Sequence, residues 1–561
     1  SPTEENSMKN NPPETKLGKS PYEKPDRRRR ARSRADYSTR RSSARYFSEF
    51  PVSITVGSGA DQKTYAGTAW DISDGGLLIE APGFPPAEKH VRLQFQIPTG
   101  TLSEEFIHSP VDVEADVRRH DEKTSMLGVQ FKESLSKRLA RSTWAFLRWT
   151  AIVFLVLAIG TTLFIKYENY TFFWFDVPVF LYSLLVGGYL ISRFLFSSLY
   201  RNPPPLEDTP PVSLLIPVFN EEKEIERTIR QVMNMEYPAD KLQVIVIDDG
   251  STDGTLKAIQ RAWALYPEIQ LIHFEKSRGK RHALAAAVRE SVGEYLVFID
   301  SDSFLEPDAV SRLLDHFADP EVAAVTGHCD VENVWTNALT KMQSVRYYVA
   351  FRVMKAAESI FDSVTCLSGP LACYRRERLL EVLDAWENQT FLGQPATYGD
   401  DRSLTNMLLR RGYKVRYAEK ALCTTVVPED HLTFLRQQMR WKRSWFRESL
   451  VACAFMWKKQ PLMTLSFYLG FLLPLVAPIV VVRALILVPL LQSVWPINYV
   501  AGVLVMSAMI SSVYLLVKRS RLWLYGVMFC FYYMFILVWQ LPIAVLTFAR
   551  TSWGTRTKAE I

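Results

Sequence analysis

The chain has 561 residues, which allows about three to four domains, and its formal net charge is +7. Much of this positive charge lies in the first 46 residues, so the charge is a local feature. No known nucleic-acid module follows these basic residues, and we expect no nucleic acid polymer among the partners. The six cysteines include no CxxC pair, which excludes the usual zinc spacings and favours free thiols.

The first part of the chain divides into a leader and a β-rich region. Residues 1–37 are polar and rich in proline and arginine, a composition typical of disorder. Residues 38–135 contain short segments of period-two alternation separated by turn residues: VSITV, YAGTAWDIS, GGLLIE, VRLQFQI, VDVEADVRR and MLGVQF. This pattern predicts a small antiparallel β-barrel or sandwich.

Long apolar runs predict membrane-spanning helices, two within residues 145–200 and the rest within residues 455–549. The runs are Trp149–Ile165, Val177–Ser192, Leu462–Val482, Ala484–Val517 and Leu522–Ala549. Arg483 and the pair Pro474/Pro478 predict a broken or tilted helix. The placement of lysine and arginine puts both soluble domains and the tail, residues 550–561, on the cytoplasmic side of a lipid bilayer. The number of C-terminal crossings, two or four, stays open.

Residues 202–450 alternate buried strands with helices, which predicts a mostly parallel sheet covered by helices. The strands are expected at Leu214–Pro217, Gln243–Ile247 and Tyr295–Ile299, with a helix at Glu222–Met235. The predicted fold is therefore a multidomain membrane protein with a small β-barrel, an α/β domain and an α-helical transmembrane bundle.

Acidic side chains follow two of these strands. Asp248 and Asp249 end the second strand, and Asp300 and Asp302 follow the third. Open α/β sheets bind ligands at the carboxyl ends of their strands, and an Asp-x-Asp pair beside a nucleotide suits a hard divalent cation. Turn formation is the alternative for each aspartate taken alone.

Two further loops carry charged groups. Lys280 and Arg281 in SRGKRHAL are suited to holding a diphosphate leaving group, unless the loop is merely solvated. Asp400 and Asp401 in TYGDDRSLT are adjacent carboxylates, and one of them is suited to act as a general base towards a sugar hydroxyl. Asp400 could also cap the helix that follows.

In QQMRWKRSWFRE, Gln437, Arg440 and Trp441 have the spacing i, i+3, i+4, which places them on one face of a helix. An amide, a cation and an indole on one face fit a binding surface. The alternative is an interfacial anchor at the membrane.

These motifs occur in the order found in processive family-2 glycosyltransferases: DDGS, GKR, DSDS, CLSGPLACYRRE, NQTFLGQPATYGDDRSLTN, QQMRWKRSWFRE and TSWGTR. Residues 205–556 resemble that family, and the stretch from Asn388 to Glu448 resembles its hyaluronan and chitin synthase branch. The resemblance implies a GT-A nucleotide-diphospho-sugar transferase fold for residues 202–450. Cellulose synthases of the family carry a TED-type motif where this chain has GDD, which by analogy favours an amino-sugar donor.

The resemblance also implies the role of each residue. Asp401 would be the general base of an inverting displacement, with Asp400 beside it, and Asp302 would hold Mg²⁺ or Mn²⁺. The residues implied in nucleotide-sugar binding are Asp249, Lys280, Asp300, Gln437, Arg440, Trp441, Trp553 and Arg556. Among these, Trp441 would be the stacking platform for the acceptor sugar, and Trp553 and Arg556 of the WGTR tail would close over the nucleotide.

The basic stretch at the start of the chain contains part of a second known motif. RRxxxR is formed by Arg40, Arg41 and Arg45, and DxSxxG follows with Asp71, Ser73 and Gly76. Together with the closing strand LGVQF, this order resembles the PilZ domain, a bacterial receptor for cyclic di-GMP. Guanidinium groups bind phosphodiesters and guanine edges bidentately. The resemblance implies that these six residues bind cyclic di-GMP as an allosteric activator, although a PilZ fold that has lost binding remains an alternative. Arg27–Arg34 are expected to form a flexible tail or lipid-facing charge.

The expected protein is a cyclic-di-GMP-regulated polysaccharide synthase of the bacterial inner membrane, multi-pass and with cytoplasmic soluble domains. It would transfer sugar from a UDP-sugar donor to a growing polysaccharide acceptor and secrete the polymer, alone or with secretion-complex subunits. UDP-GlcNAc is the expected donor, with UDP-GlcA as a further donor in a hyaluronan-type alternation. The alternatives are a mannuronan or glucan synthase, an inactive cyclic-di-GMP receptor that acts as a scaffold, and a non-processive lipid glycosyltransferase.

Overall fold

The computed structural model describes most of the chain from residue 177 onwards and most of the barrel region. The described residues are 15–16, 45–57, 62–86, 88–96, 110–121, 125–135, 177–493, 496–518, 520 and 522–549, with scattered positions between 149 and 167. Arg40, Arg41, Trp553 and Arg556 lie outside these residues, as do almost all of the leader and most of the first predicted membrane run, Trp149–Ile165.

Six strands of the N-terminal region close into an antiparallel barrel. After a two-residue strand, β1 (Thr15–Lys16), the barrel strands are β2 (Arg45–Val56), β3 (Lys63–Ser73), β4 (Gly76–Glu80), β5 (His90–Gln96), β6 (Pro110–Asp121) and β7 (Met126–Phe131). They close in the order β2-β3-β4-β7-β6-β5. Alternate apolar side chains such as Ile54, Ile72 and Leu93 are fully buried inside, as the period-two pattern requires. Of the two predicted architectures, the barrel is confirmed.

The α/β domain is built on a nine-stranded sheet. Its strands are β8 (Val212–Val218), β9 (Leu242–Asp248), β10 (Gln270–His273), β11 (Tyr295–Phe298), β12 (Ser303–Leu305), β13 (Val322–Val331), β14 (Ala372–Arg375) and β17 (Lys414–Thr425), joined by β1. A separate hairpin pairs β15 (Thr390–Phe391) with β16 (Gln394–Pro395). The sheet order is β1-β10-β9-β8-β11-β14-β13-β17-β12.

The three predicted strands are confirmed, and the sheet is mixed, with six of its nine strands running in one direction: β8, β9, β10, β11, β13 and β17. Strands β10, β9, β8 and β11 run parallel. Strand β14 runs antiparallel to both of its neighbours, β11 and β13, so β13 and its parallel partner β17 point the same way as the first four strands. Two of the parallel strands, β9 and β11, carry the aspartates at their carboxyl ends, so the predicted ligand-binding edge is preserved.

Helices cover the sheet and continue into the apolar part. The helices are α1 (Val177–Leu199), α2 (Ile225–Met233), α3 (Thr255–Leu265), α4 (Lys280–Glu290), α5 (Ala309–Leu314), α6 (Ala338–Tyr348), α7 (Ala356–Ser359), α8 (Arg376–Leu380), α9 (Leu383–Glu387), α10 (Asp400–Arg410), α11 (His431–Met456), α12 (Pro461–Val482), α13 (Val488–Gln492), α14 (Ile497–Lys518), α15 (Trp523–Phe535) and α16 (Gln540–Leu546). The helix predicted at Glu222–Met235 is α2, which begins three residues later and ends two residues earlier. The six cysteines are all free.

Among the described residues, two helices are long and apolar enough to cross a membrane, Val177–Leu199 and Pro461–Leu491. Helix α15 and the segment Leu537–Leu546 together form a third candidate, bent by 43° at its break. The helix does not break at Arg483 as predicted, because a π-helical stretch, Arg483–Leu487, carries it through that position. The run Ala484–Val517 is interrupted instead before α14.

Candidate active site

A cavity of about 1460 Å³ lies at the carboxyl ends of the parallel strands and extends to the apolar helices. Its walls include the acidic strand ends, the start of α10 and one face of α11. At the other end it reaches Gly470 and Pro474 of α12, and Tyr533, Leu537 and Leu541 beyond α14. Single-ligand pockets in proteins are usually 300–1,000 Å³, so this space is large enough for a donor and an acceptor together.

Asp248 and Asp249, at the end of β9, have different surroundings: Asp248 is buried within the domain, and Asp249 lines the cavity. Asp248 is fully buried, accepts a hydrogen bond from the Ser251 amide at 3.1 Å and lies 2.9 Å from Nδ1 of His273. Asp249 lines the cavity and accepts bonds from the Ser277 hydroxyl at 2.7 Å and the Arg278 amide at 2.7 Å. Burial raises the pKa of Asp249 above its ordinary value, although these hydrogen bonds act to lower it. Asp249 therefore holds the SRGK loop in place at the cavity edge.

The next strand end carries a cation–carboxylate pair. Lys280, the first residue of α4, donates to Asp300, and the two side chains are each 28% exposed. Burial opposes the charge of Lys280, but Asp300 raises the lysine pKa above its ordinary value. A Cβ on Gly369 would lie 2.8 Å from Oδ2 of Asp300 and 3.2 Å from Nζ of Lys280. The SGP loop therefore needs a glycine here so that its backbone can approach this pair.

Asp302 faces the same cavity, with Oδ1 3.4 Å from the Thr425 hydroxyl. No group of three or more His, Cys, Asp or Glu side chains in the described part of the chain could hold a metal ion. Mg²⁺ is usually held by one or two carboxylates and substrate phosphates rather than by an all-protein cage. Asp302 faces the cavity beside Asp300, which is paired with Lys280. This arrangement fits a metal site that is completed by the phosphates of the donor.

Asp400 is held by a buried cation. Nε of Arg281 donates to Oδ1 of Asp400 at 2.8 Å, and the two side chains are 6% and 12% exposed. Arg281 also donates to the Trp386 carbonyl at 3.0 Å. Arg281 is therefore paired with Asp400, but it also lines the cavity, and its predicted contact with a diphosphate stays a prediction. Asp400 is not the helix cap, because α10 begins at Asp400 with left-handed Gly399 at the capping position.

Asp401, one residue further, forms no salt bridge with any residue in the described part of the chain. Its Oδ1 accepts the Arg402 amide at 2.8 Å and its Oδ2 accepts the Cys366 thiol at 3.3 Å. Burial, with Asp401 beside it, raises the pKa of Cys366 to about 11, so the thiol keeps the proton that it donates. Asp401 lies in the cavity wall in the first turn of α10.

The start of α10 is braced by α11 through residues that the sequence reasoning left without a role. Arg447 donates to the Tyr398 carbonyl and pairs with Glu448 at 3.0 Å, with both side chains almost completely buried. Asn406 donates to Glu448 Oε2 at 3.1 Å. The only signal for them was the FRE end of the α11 motif.

Gln437, Arg440 and Trp441 all line the cavity. The Trp441 ring lies 6.4 Å from the Tyr347 ring, centroid to centroid. This face of α11 is turned towards the strand ends, so the interpretation of the motif as an interfacial anchor is wrong. The structure brings together every described residue predicted for the donor and the acceptor.

A second candidate site lies at one end of the barrel. In the pairing of β2 with β3, Arg45 is opposite Ser73 and Phe47 is opposite Asp71. The two halves of the RxxxR and DxSxxG pattern therefore meet across neighbouring strands. A Cβ on Gly76 would lie 2.2 Å from the Val129 carbonyl oxygen, so this glycine permits the close contact of β4 with β7.

The sheet, the acidic strand ends and the α11 face define a nucleotide-sugar glycosyltransferase domain joined to a barrel. A family model for "glycosyltransferase like family 2" matches residues 210–444, and a PilZ model matches residues 39–148. The chain belongs to the processive family-2 glycosyltransferases of the hyaluronan and chitin synthase-like branch, with an N-terminal PilZ domain.

Three relatives support this membership, and one solved structure was also matched. A hyaluronan synthase of Streptococcus pyogenes serotype M3 is 30% identical over 393 residues, which cover 68% of this chain and 91% of the relative. N-acetylglucosaminyltransferases of Mesorhizobium japonicum and Rhizobium meliloti are each 36% identical, over 48% of this chain and 66% of their own length. A mannosyltransferase from Pyrobaculum calidifontis, solved with GDP-mannose and Mn²⁺, aligns with a TM-score of 0.45 at 22% identity over 65% of this chain and 97% of its own.

Proposed function

We propose that the protein is a cyclic-di-GMP-regulated polysaccharide synthase embedded in the bacterial inner membrane. It transfers sugars from a UDP-sugar, with UDP-GlcNAc as the donor and UDP-GlcA as a second donor, and it secretes the polymer. The observation that supports this most directly is the single cavity that contains Asp401 and Trp441 and reaches helices apolar enough to span a bilayer. A processive synthase needs this continuity, because its product must leave through the apolar part.

The reaction is an inverting displacement. The acceptor hydroxyl gives its proton to the Asp401 carboxylate, and its oxygen forms a bond to the anomeric carbon of the donor. The bond from that carbon to the diphosphate oxygen breaks on the opposite side, and UDP leaves. The Lys280–Asp300 pair holds the diphosphate, while Gln437 and Arg440 position the reacting sugars on the Trp441 ring.

Asp302 is the residue proposed to hold a divalent cation, Mg²⁺ or Mn²⁺, together with the donor phosphates. When bound, the cation supplies charge stabilisation for the leaving diphosphate. Asp249 positions the uridine by fixing the loop that precedes α4.

The barrel is proposed to bind cyclic di-GMP as an activator. Arg40, Arg41 and Arg45 supply guanidinium groups, Asp71 and Ser73 add contacts to guanine and phosphate, and Ser73 lies opposite Arg45 across the strand pair. The register of β2 against β3 supports this arrangement, since it brings Arg45 beside Ser73.

The test uses full-length protein in lipid nanodiscs with Mn²⁺. Release of the nucleoside diphosphate, UDP or GDP according to the donor, is followed across UDP-GlcNAc, UDP-GlcA, UDP-glucose and GDP-mannose, alone and in pairs, with and without cyclic di-GMP, and the product is sized. We expect release from UDP-GlcNAc, a rise with cyclic di-GMP, and long polymer. Release from another donor alone would indicate the mannuronan or glucan synthase, a single added sugar would indicate lipid glycosylation, and no release from any donor would indicate a scaffold.

A further inference from the structure

Two cations meet at the end of the cavity that faces the apolar helices. Arg346 lies on α6 and Lys442 lies on α11, directly after Trp441. The Arg346 guanidinium is 5.4 Å from the centroid of the Trp441 ring. The Lys442 ammonium is 5.5 Å from the centroid of the Tyr533 ring. Both side chains line the cavity.

Neither cation forms a salt bridge to any described residue. Lys442 donates to the Leu537 carbonyl and to Oε1 of Gln540 at 3.2 Å, both of which are neutral acceptors. Nη1 of Arg346 is buried and has no hydrogen-bond partner among the described residues. Both side chains are half-buried, and a charge that is partly withdrawn from water without an opposite charge is unfavourable, so the two cations need a reason.

Other cations in the same domain show the contrast. Arg281 pairs with Asp400 at 2.8 Å, and Arg447 pairs with Glu448 at 3.0 Å. Burial lowers the pKa of both Arg346 and Lys442, and the neighbouring Arg346 contributes to lowering that of Lys442 to about 7. A bound anion between them would remove this repulsion and satisfy the free guanidinium donor.

We propose that Arg346 and Lys442 form a carboxylate-binding subsite for a uronic acid residue of the growing polymer. This inference rests on the proposed function and narrows its substrate class to an acidic polysaccharide. An arginine fork and a lysine together offer donors that match a carboxylate. The flat rings of Trp441 and Tyr533, which line the cavity, provide apolar faces on which a sugar ring can pack.

The position of Arg346 and Lys442 indicates that they bind the polymer rather than the donor diphosphate. The Lys280–Asp300 pair and Asp302 lie at the strand ends. Arg346 and Lys442 instead contact elements beyond α14: Phe529, whose ring centroid is 5.5 Å from the Arg346 guanidinium, and Leu537. A diphosphate and a carboxylate share this anionic chemistry, so the test must separate them.

The test measures binding to the full-length protein in nanodiscs by isothermal titration calorimetry. The probes are a hyaluronan tetrasaccharide, chitotetraose as its neutral counterpart, and UDP. The variants are Lys442→Gln and Arg346→Gln, each of which removes one cation. Lys442→Arg keeps the charge. Lys458→Gln removes a charge from an exposed position just after α11. Elution volume and melting temperature establish that each variant is folded.

We expect the wild type to bind the hyaluronan tetrasaccharide at least about 10-fold more tightly than chitotetraose, since a hydrogen bond to a charged group contributes about a tenfold preference or more. Each charge-removing variant should lose this preference, while UDP and chitotetraose bind as before, and Lys442→Arg and Lys458→Gln should retain it. Equal loss for both tetrasaccharides, or weaker UDP binding with an unchanged preference, would overturn the subsite.

The two hypotheses fail in different assays. Absence of turnover from every donor would refute the proposed function, while the tetrasaccharide comparison still decides the subsite. Turnover from UDP-GlcNAc alone into a neutral polymer, with no preference between the tetrasaccharides, would refute the subsite and leave the synthase in place.

Discussion

The two adjacent aspartates at the start of α10 should respond differently when each is replaced by asparagine. In Asp401→Asn the amide keeps the size of the side chain and an oxygen that can accept the Arg402 amide. It loses the capacity to take a proton. Loss of a general base typically slows turnover about 10²- to 10⁴-fold, which corresponds to about 3–5 kcal/mol of activation free energy. The affinity for UDP and the melting temperature should not change.

Asp400→Asn should instead lower stability. It removes the charge opposite Arg281 in a pair whose side chains are 6% and 12% exposed. Removal of one partner from a buried ion pair costs about 3–5 kcal/mol because the other charge stays buried. We therefore expect a large fall in melting temperature, and a smaller fall in turnover for the fraction that remains folded.

Both variants are compared by UDP release, UDP binding and thermal unfolding in the same nanodiscs. Undiminished turnover in Asp401→Asn would refute the assignment of the base. Abolished turnover in Asp400→Asn with an unchanged melting temperature would mean that the two roles are reversed.

Three further replacements test the surrounding structure. Gly369→Ala would place a Cβ 2.8 Å from Oδ2 of Asp300, and kcat/KM for the UDP-sugar should fall by up to ~100-fold, because a misplacement of about 1 Å can cost that much. Gly76→Ala would push β4 away from the facing strand, so cyclic di-GMP binding, measured by calorimetry, and the melting temperature should both fall. Burial lowers the pKa of His316 to about 3 from an ordinary value of 6.5, so the unfolded state binds the proton first as pH falls. Stability should decline from about pH 6.5 towards pH 3 by up to about 1.4 kcal/mol per pH unit, and His316→Phe should make the acid side of the melting profile shallower.

The sequence predicted those parts of the fold that depend on local pattern. The barrel strands, the first parallel strands and the α11 face follow from alternation or helical spacing over a few residues. The mixed second half of the sheet was not predictable in this way. Strand β14 pairs with β11, more than seventy residues earlier in the chain, and nothing in ACYR records its direction.

The sequence predicted which residues form the candidate site, but it did not predict what each of them contacts. GDD identifies two carboxylates, and only the position of Arg281, 119 residues before Asp400, shows which of them is neutralised. GKR likewise offers two cations, both of which line the cavity, and only the structure shows that Lys280 pairs with Asp300 and Arg281 with Asp400. The Arg447–Glu448 brace was missed because buried ion pairs leave no periodic signal in a sequence.

Helix α11 contacts both the start of α10 and the bent apolar segment formed by α15 and α16. Its 26 residues extend about 39 Å at 1.5 Å per residue. Along this length, Trp441 lies in the cavity and Lys442 donates to the Leu537 carbonyl at the break between α15 and α16. Further along the same helix, Arg447 donates to the Tyr398 carbonyl just before α10, and Glu448 accepts a bond from Asn406 of α10, the helix that carries Asp401. Helix α11 therefore contacts both the element that carries the proposed base and the bent apolar segment.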